Sequence, residues 1–335
     1  MGKERTGLTE ILQMKEGYAS SKVLTVAAKL GFLSTTFPPL TAEGFARACR
    51  VSPRGARLFL NALVSLGIFE FQGERYQLRG EIKRCLEEFP EMVNDLIHHD
   101  HLYEVWGERL EGGVRRGESI PPTQKEKDAY PQSLELFLRA MRAHASYVAQ
   151  EWMGAVSWEG VTRFLDVGGG GGGYALAIAR HVPHVTVTVA DLPDAVEITK
   201  KMLASDSEGA RIRFFTCNAY TDSLPEGPFD RILISHLIHL YPEKDNRFLL
   251  QKAAALLRTG GDLFLLDYFL DETETLPREA VLFRLLMMMG TPKGDCFRLS
   301  QAGQWLEEAG LALRKSIELR GGNTLLIATK ERPKR

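Results

Sequence analysis

The sequence predicts an α/β protein in which a mostly helical N-terminal part precedes a parallel β-sheet. From Val161 onward, short apolar strands alternate with amphipathic helices, and this alternation is typical of a parallel sheet that is covered on both faces. Before that point, the apolar residues recur mainly at helical spacing. The chain of 335 residues is longer than one hydrophobic core usually supports, so we expect more than one domain.

The composition argues against several classes of function. Hydrophobic residues make up 44% and charged residues 25% of the chain, and the formal net charge is -1. A chain so close to neutral lacks the electrostatic character of a protein that binds nucleic acid or an anionic membrane. No apolar run is long enough to span a bilayer. The four cysteines form no CxxC pair, which favours the reducing cytoplasm over a disulfide framework or a zinc site.

Residues 1–86 are predicted to form short helices that end in a β-hairpin. Apolar residues at helical spacing run from Leu8 to Leu30, and Thr41 and Ser52 are plausible N-caps of two further helices. Alternating residues from Phe69 to Gln77 then indicate two short strands. This order of elements is typical of a winged helix.

Winged helices often bind DNA, so a ligand-gated DNA-binding regulator is one alternative. The candidate recognition helix, Pro53 to Leu66, offers Arg54 and Arg57, while most of its other residues are apolar. Neutralising a phosphate backbone requires several cations. The helix is therefore better suited to burial against a partner subunit.

Residues 87–155 are predicted to form a helical connector that contributes to an acceptor pocket, with breaks at Gly112-Gly113 and at Gly117–Thr123. The cluster His98-His99-Asp100-His101 contains residue types that bind metals, but no fixed ligand spacing completes a site. A helix face is the preferred interpretation, and we expect no metal.

Residues 156–335 are predicted to contain the parallel sheet and a closing hairpin. The C-terminal pattern, with Arg320-Gly321-Gly322-Asn323 between two alternating segments, predicts an antiparallel pair. The predicted strands, in chain order, are Arg163–Val167, Thr186–Ala190, Ile212–Thr216, Arg231–Ser235, Asp262–Leu266, Ala312–Leu319 and Thr324–Thr329.

A run of six glycines between the first of these strands and the next helix indicates a ligand site. Without Cβ atoms, the backbone N–H groups of such a loop can approach a ligand closely. Gly168, Gly170 and Gly173 satisfy the GxGxxG pattern of a dinucleotide site. Asp166 and Gly172, together with the first two of those glycines, satisfy the acid-x-GxGxG pattern of an S-adenosylmethionine site.

Two features favour S-adenosylmethionine over NAD. Asp166 stands two residues before the first glycine, where a dinucleotide-binding strand is usually apolar. The C-terminal hairpin also departs from the usual dinucleotide topology. Asp191, after the next strand, can accept both ribose hydroxyls, although NAD sites use the same arrangement. We therefore predict a Rossmann-like domain that binds S-adenosylmethionine.

Four motifs now make a family resemblance visible, and it covers roughly residues 8 to 330. The chain resembles the small-molecule O-methyltransferases of the caffeate, acetylserotonin and hydroxyneurosporene type. That resemblance implies a seven-stranded class I methyltransferase domain, an N-terminal winged-helix dimerisation domain and a homodimer. The motifs are "LDVGGGGGGYALAIARHVP", "ADLPDAV", "ISHLIHLYPEKDNRFLLQKAAALLRTGGDLFLLDYFLDE" and "WLEEAGL".

The resemblance also implies the cofactor and acceptor residues. In the place of the family's adenine-contacting aspartate, this chain has Asn218, whose amide can still form a hydrogen bond. Acceptor-pocket roles are implied for Phe137 and Met141, for which packing in a helix core is an equally good interpretation. Met288, within a triple of methionines on a predicted helix, is interpreted first as a core residue and second as a clamp on an aromatic acceptor. The cofactor positions are Asp166, Gly168, Gly170, Gly172, Asp191, Leu192, Asn218, Ala219 and Ser235.

The catalytic prediction centres on a histidine. Methyl transfer from a sulfonium is an in-line displacement, so the enzyme mainly aligns the acceptor and removes its proton. A hydroxyl acceptor needs a base that works near neutral pH, which favours histidine. His239 follows a predicted strand and occupies the family's base position, and Asp267 occupies that of the orienting acid. His236 is a weaker candidate for the base.

Two departures from the family keep other activities open. The usual His-Asp-Trp is His239-Leu240-Tyr241 here, and the second flanking acid falls near Asp295 and Cys296. Methylation of carbon, nitrogen or sulfur therefore remains an alternative, as does non-methyl chemistry that uses the same cofactor.

Overall fold

The computed structural model describes residues 7–331, except for residues 122, 124, 125, 127 and 129. Contacts divide the chain into two compact units, Met1–Tyr103 and Glu104–Arg335. Within the described part, no helix combines the length and apolar character that a bilayer crossing requires.

The first unit is mainly helical, as predicted. Helix α1 spans Gly7–Lys29, α2 spans Ala42–Ala48 and α3 spans Pro53–Ser65. Strands β1 (Phe69–Gln72) and β2 (Arg75–Leu78) follow as an antiparallel hairpin. The expected order of helices and hairpin is therefore confirmed.

Side-chain caps explain where α2 and α3 begin. The Thr41 hydroxyl accepts a hydrogen bond from Gly44 N at 3.2 Å, and the Ser52 hydroxyl accepts one from Gly55 N at 3.0 Å. Each bond satisfies an amide that has no partner within the helix. The two predicted N-caps are thus confirmed.

The next helices are α4 (Gly80–Glu88) and α5 (Met92–Arg116). The predicted break at Gly112-Gly113 is wrong, because α5 continues through both glycines. A Cβ on Gly113 would lie 3.3 Å from the terminal methyl of Met288. This glycine thus allows a close approach between side chain and helix rather than a turn.

Asp100, the acidic residue of the histidine cluster on α5, forms ion pairs with two lysines of α1. Asp100 is buried, and its carboxylate accepts hydrogen bonds from Lys22 at 2.6 Å, from Thr25 at 2.9 Å and from Lys29 at 3.3 Å. This carboxylate therefore ties α1 to α5 and does not face the neighbouring imidazoles as a metal ligand would.

The second unit contains α6 (Tyr130–Met153) and an eight-stranded sheet with the order β5-β4-β3-β6-β7-β10-β9 and with β8 paired to β7. The five strands from β5 to β7 are parallel, and β10 is antiparallel to β7 and β9. The strands are β3 (Arg163–Val167), β4 (Thr186–Asp191), β5 (Arg213–Thr216), β6 (Phe229–Ser235), β7 (Leu257–Leu270), β8 (Phe297–Arg298), β9 (Leu311–Glu318) and β10 (Asn323–Lys330).

The parallel strands and the closing antiparallel pair are as predicted, but the expected number of seven strands is one too few. The additional strand, β8, has two residues and pairs with the end of β7 through Phe269 and Leu270. So short a strand carries no recognisable alternation in the sequence. The helices that cover the sheet are α7 (Gly173–His181), α8 (Pro193–Leu203), α9 (Glu243–Leu256), α10 (Arg278–Gly290) and α11 (Leu299–Glu308).

Alternation along the strands supplies a core on each face of the sheet. Leu165 and Ile232 belong to one buried cluster, whereas Phe164 and Leu233 belong to the other. Successive side chains of a strand point to opposite faces, so every central strand contributes to both cores. The strand order reverses between β3 and β6, and at such a switch point open α/β sheets bind ligands beyond the carboxyl ends of their strands.

Candidate active site

The six glycines after β3 fulfil two alternating structural requirements. Gly168, Gly170 and Gly172 have φ values of 69°, 51° and 72°, which lie in the left-handed region that side chains with a Cβ disfavour. These are the glycines of the acid-x-GxGxG pattern. The backbone conformation by itself therefore favours glycine at each of these three positions.

The intervening glycines are required for packing. A Cβ on Gly171 would lie 2.1 Å from the carbonyl oxygen of Leu138, and one on Gly173 would lie 2.5 Å from Cβ of Ala145. Leu138 and Ala145 belong to α6. The backbone of the glycine loop thus lies directly against this helix, which no residue larger than glycine would permit.

Asp191 at the end of β4 fixes the shape of the glycine loop. Its carboxylate accepts a hydrogen bond from Gly170 N at 2.7 Å and another from Leu192 N at 2.7 Å. The Thr199 hydroxyl donates to the carbonyl oxygen of Gly170 at 2.7 Å. Burial raises the pKa of the Asp191 carboxyl, and its two bonds with backbone amides oppose that rise.

Asp166 is fully buried beneath the loop. Burial and the nearby charge of Asp191 raise the pKa of the Asp166 carboxyl to about 7, and the backbone of Ala175 opposes that rise. Within the described part of the chain, Asp166 forms no ion pair. A carboxyl group with this pKa changes its charge near neutral pH, so it responds to a cation that binds close to the loop.

A cavity of about 220 Å³ lies at the carboxyl ends of the central strands. It brings together most of the predicted cofactor residues and two predicted pocket residues, Phe137 and Met141. Met288 does not line it and contacts α5 instead. The predicted cofactor residues in its wall are Gly168, Gly170, Asp191, Leu192, Asn218, Ala219 and Ser235.

Near this cavity, His239 and Asp267 form a buried pair. His239 lies in a short 3-10 turn after β6, and Asp267 lies on the neighbouring strand β7. His239 Nδ1 is 2.8 Å from Asp267 Oδ1, which also accepts a hydrogen bond from Tyr268 N at 2.8 Å. Burial would raise the pKa of Asp267, but the charge and hydrogen bond of His239 outweigh burial and hold it below its usual value.

Neither residue considered for the second flanking acid supplies a carboxylate to His239. The Asp295 carboxylate accepts a hydrogen bond from Arg284 Nε at 2.5 Å, while Asp295 N donates to the carbonyl oxygen of His239 at 3.0 Å. Cys296 is buried, and burial raises the pKa of its thiol. Asp295 therefore holds the backbone of the histidine turn and not its imidazole.

Two further histidines, His144 and His236, line the cavity. His236 was only a weaker candidate from the sequence, and His144 was not identified at all. The signal for His144 is its helical spacing, since Phe137, Met141 and His144 recur at i, i+4 and i+7 along α6. The cavity therefore has a histidine-rich wall that the family pattern does not predict.

The donor atoms of His236, His239 and Asp267 lie within 4.8 Å of one another, which makes them the group closest to a metal-ligand arrangement in the described residues. The Nδ1 of His239 is already bonded to Asp267. That bond suits an imidazole that exchanges a proton at its other nitrogen.

The fold has counterparts among solved structures, and the sequence has relatives among known proteins. The human N-acetylserotonin methyltransferase, solved in complex with SAM, superposes with a TM-score of 0.82 at 22% identity, and the match covers 99% of this chain and 100% of that one. The tetracenomycin polyketide synthesis 8-O-methyl transferase TcmO of Streptomyces glaucescens is 28% identical, over 97% of this chain and 98% of its own length. The N,N-dimethyltransferase OxyT of Streptomyces rimosus is 29% identical, over 96% of both.

Residues 121–312 match the family model of the O-methyltransferase domain, which is more than half of the chain. The expected family resemblance is therefore confirmed. The chain belongs to the O-methyltransferase family and is an S-adenosylmethionine-dependent methyltransferase.

Proposed function

We propose that the protein transfers a methyl group from S-adenosylmethionine to a hydroxyl group of a small aromatic, polyketide or isoprenoid molecule, with His239 as the general base. The observation that carries this proposal is the buried pair of His239 and Asp267, whose atoms lie 2.8 Å apart beside a cavity at the switch point of the sheet.

The residues around the glycine loop suit this cofactor. S-adenosylmethionine supplies a methyl group on a positively charged sulfur, which is already a good leaving group. The left-handed turns at Gly168, Gly170 and Gly172 form a cradle that a Cβ would strain or fill. The carboxyl groups of Asp191 and, once it is ionised, Asp166 would supply negative charge near the cationic cofactor. Asp191 retains lone pairs that can accept hydrogen bonds from ribose hydroxyls.

Asn218 is proposed to bind the adenine in a different way from the family's aspartate. Its side-chain oxygen accepts a hydrogen bond from Tyr220 N at 3.0 Å, which leaves the amide group to act toward the adenine mainly as a donor. A ring nitrogen of adenine is a suitable acceptor. Leu192 and Ala219, also in the cavity wall, provide apolar contacts.

His239 is proposed to remove the acceptor proton. Asp267 binds Nδ1, which fixes the tautomer with a basic Nε2 and stabilises the imidazolium that forms. With its proton on His239, the acceptor oxygen would have the electron pair to form a bond to the methyl carbon, while the bond from that carbon to sulfur broke and left a neutral thioether. Phe137 and Met141, which lie on the 87–155 segment that we propose as the acceptor connector, supply the apolar wall.

The N-terminal residues 1–86 are proposed to be a winged-helix dimerisation domain of a cytoplasmic homodimer. Exposed apolar side chains on α1 support this, since a monomer would leave them in water. The free cysteines of the chain suit a reducing compartment. Sedimentation of the wild type and of an Ile11→Glu, Met14→Glu variant tests the dimer, and an unchanged mass would contradict it. The exposed residues include Leu8, Ile11, Leu12, Met14 and Tyr18.

The activity is tested with methyl-labelled cofactor and a panel of hydroxylated aromatic acceptors. We expect label in the product, and mass spectrometry with NMR places it on oxygen. An amine acceptor is the second candidate, because the relative OxyT is an N,N-dimethyltransferase. Label on nitrogen or carbon alone, or no transfer to any acceptor, would overturn the proposal.

A further inference from the structure

The histidine-rich wall of the cavity contains a residue that the proposed chemistry has not used. We propose that His236 binds the acceptor, through a hydrogen bond to a second oxygen that neighbours the hydroxyl presented to His239. The preferred acceptor then carries two oxygens on adjacent ring carbons. This inference rests on the proposed function, because it takes His239 as the base.

The backbone of His236 is held in an unusual conformation. Its φ is +50°, in the left-handed region that non-glycine residues seldom occupy. The His236 amide donates to the carbonyl oxygen of Leu266 at 2.8 Å, which ties the residue to β7 just beyond the end of β6. Residues held in sparsely populated conformations cluster at functional sites, and here the conformation places an imidazole in the cavity wall.

The imidazole has an unmet hydrogen-bonding capacity. Nε2 of His236 is buried and has no hydrogen-bond partner in the described part of the chain, a state that is unfavourable for a polar atom. Burial also lowers the pKa of His236 to about 3, so the ring is neutral at physiological pH. A neutral imidazole has one donor and one acceptor nitrogen and can therefore bind either a hydroxyl or a carbonyl oxygen.

The position of His236 relative to His239 sets the spacing of the two acceptor oxygens. The ring centres of the two histidines are 6.3 Å apart, and their planes are inclined by 54°. Imidazoles at this distance can both form hydrogen bonds with one small molecule that carries two neighbouring polar atoms. Oxygens on adjacent carbons of an aromatic ring meet that requirement, and Phe137 and Met141 suit the ring itself.

A pair of matched probes tests this assignment. Naphthalene-2,3-diol has two adjacent hydroxyls, whereas 2-naphthol has one. Binding of each is measured by calorimetry to protein saturated with S-adenosylhomocysteine in the presence of EDTA, and KM and kcat are measured with labelled cofactor. One extra hydrogen bond of about 0.5–1.5 kcal/mol predicts that the diol binds roughly two- to tenfold more tightly.

Two variants keep the backbone conformation accessible. His236→Gly removes the imidazole and tolerates a positive φ, and His236→Asn also tolerates it while retaining a hydrogen-bonding side chain. We expect the glycine variant to lose the preference for the diol, mainly through KM, and the asparagine variant to recover part of it. His184→Ala, at an exposed histidine, is the control and should retain the full preference.

Several outcomes would overturn the inference: equal binding of the probes to the wild type, no binding of either probe, or a preference that survives in His236→Gly. A wild-type preference that is present without EDTA and absent with it would assign the effect to a bound cation instead. Transfer to 2-naphthol that still depends on His239 would leave the proposed function standing while the role of His236 failed.

Discussion

His239 Nδ1 lies 2.8 Å from Asp267 Oδ1; His239 lies in the turn that follows β6, and Asp267 lies on β7, the parallel neighbour of β6. The acid is almost completely buried, so the strength of this hydrogen bond is little reduced by solvent. The pair defines which nitrogen of His239 is available for chemistry.

Replacing His239 with alanine should impair turnover without impairing cofactor binding. We expect His239→Ala to lower kcat by roughly two to four decades, the usual contribution of a general base. Cofactor affinity, measured by calorimetry, should stay nearly constant, since the proposed role of His239 is toward the acceptor and not toward the cofactor. Unchanged turnover with the true acceptor would rule out the role as a base.

Asp267→Asn should lower kcat while the fold persists. An amide is close to isosteric with the carboxylate but can bind the wrong tautomer of His239 and cannot stabilise an imidazolium. The same change in a serine-protease triad costs about four decades, so a loss approaching that size is expected, measured as labelled product per unit time. A kcat equal to that of the wild type would show that His239 acts without the acid.

Asp166 should make cofactor affinity dependent on pH. Its pKa of about 7 lies above the ordinary value of 3.8. Between these two pH values, Asp166 of the unliganded protein therefore remains mostly protonated. The cationic cofactor favours the ionised form. Affinity should therefore rise from about pH 6 to about pH 8, by up to about tenfold per pH unit below the pKa.

Calorimetry in buffers of different ionisation enthalpy should detect proton release on binding near pH 7, and Asp166→Asn should abolish it and flatten the profile. The free energy of unfolding of the unliganded protein should change with pH in the opposite direction to cofactor affinity. Because the folded-state pKa is raised, the contribution of Asp166 is fully present below about pH 4 and is lost as the pH rises toward about 7. A pH profile identical in wild type and variant would contradict the assignment.

Asp191→Ala should weaken cofactor binding. Hydrogen bonds to charged groups contribute about 1.5–3 kcal/mol, so the loss should be roughly ten- to a hundredfold in Kd. Asp191 also orders the loop through Gly170 and Leu192, which adds to the effect. Asp191→Asn retains part of this hydrogen bonding and should be the milder change; equal affinity in all three proteins would be incompatible with ribose binding.

Gly171→Ala should destabilise the protein and lower cofactor affinity. The added Cβ would lie 2.1 Å from a backbone oxygen of Leu138, which a rotamer change cannot relieve, and overpacking of this kind costs about 1–3 kcal/mol. Gly154→Ala is the matched control, since no atom lies within 4 Å of its added Cβ. Equal unfolding free energies for the two variants would show that α6 moves aside.

The fold was predictable from sequence where the local pattern is strong. β3 has the predicted bounds, and Thr41 and Ser52 cap helices as expected, because period-two alternation and capping chemistry depend on near neighbours. The two-residue strand β8 has too short a pattern to detect. The sequence predicts a helix break at Gly112 and Gly113, but α5 continues through both, and Met288 packs against Gly113. No local pattern contains such a tertiary contact.

The site was predictable to the extent that the motifs fix the backbone. His239 and Asp267 each follow a predicted strand, and these two strands are consecutive in the chain. Consecutive strands are usually neighbours in a sheet, so the proximity of the two residues is consistent with the predicted pattern. The place of Met288 and the pairing of Asp295 with Arg284 depend on how helices pack, and the sequence does not specify that packing. His236 carries no sequence signal for its left-handed backbone.

The contact between Gly171 and Leu138 joins the glycine loop proposed to bind the cofactor to the helix that carries the proposed acceptor residues. The cofactor cradle and the helix that walls the acceptor cavity meet backbone to backbone, so the conformation of one restricts the conformation of the other. Coupling between two binding sites is reciprocal: if the methyl donor changes acceptor affinity by some factor, the acceptor changes donor affinity by the same factor. We therefore expect acceptor affinity to differ between protein loaded with S-adenosylmethionine and protein loaded with S-adenosylhomocysteine.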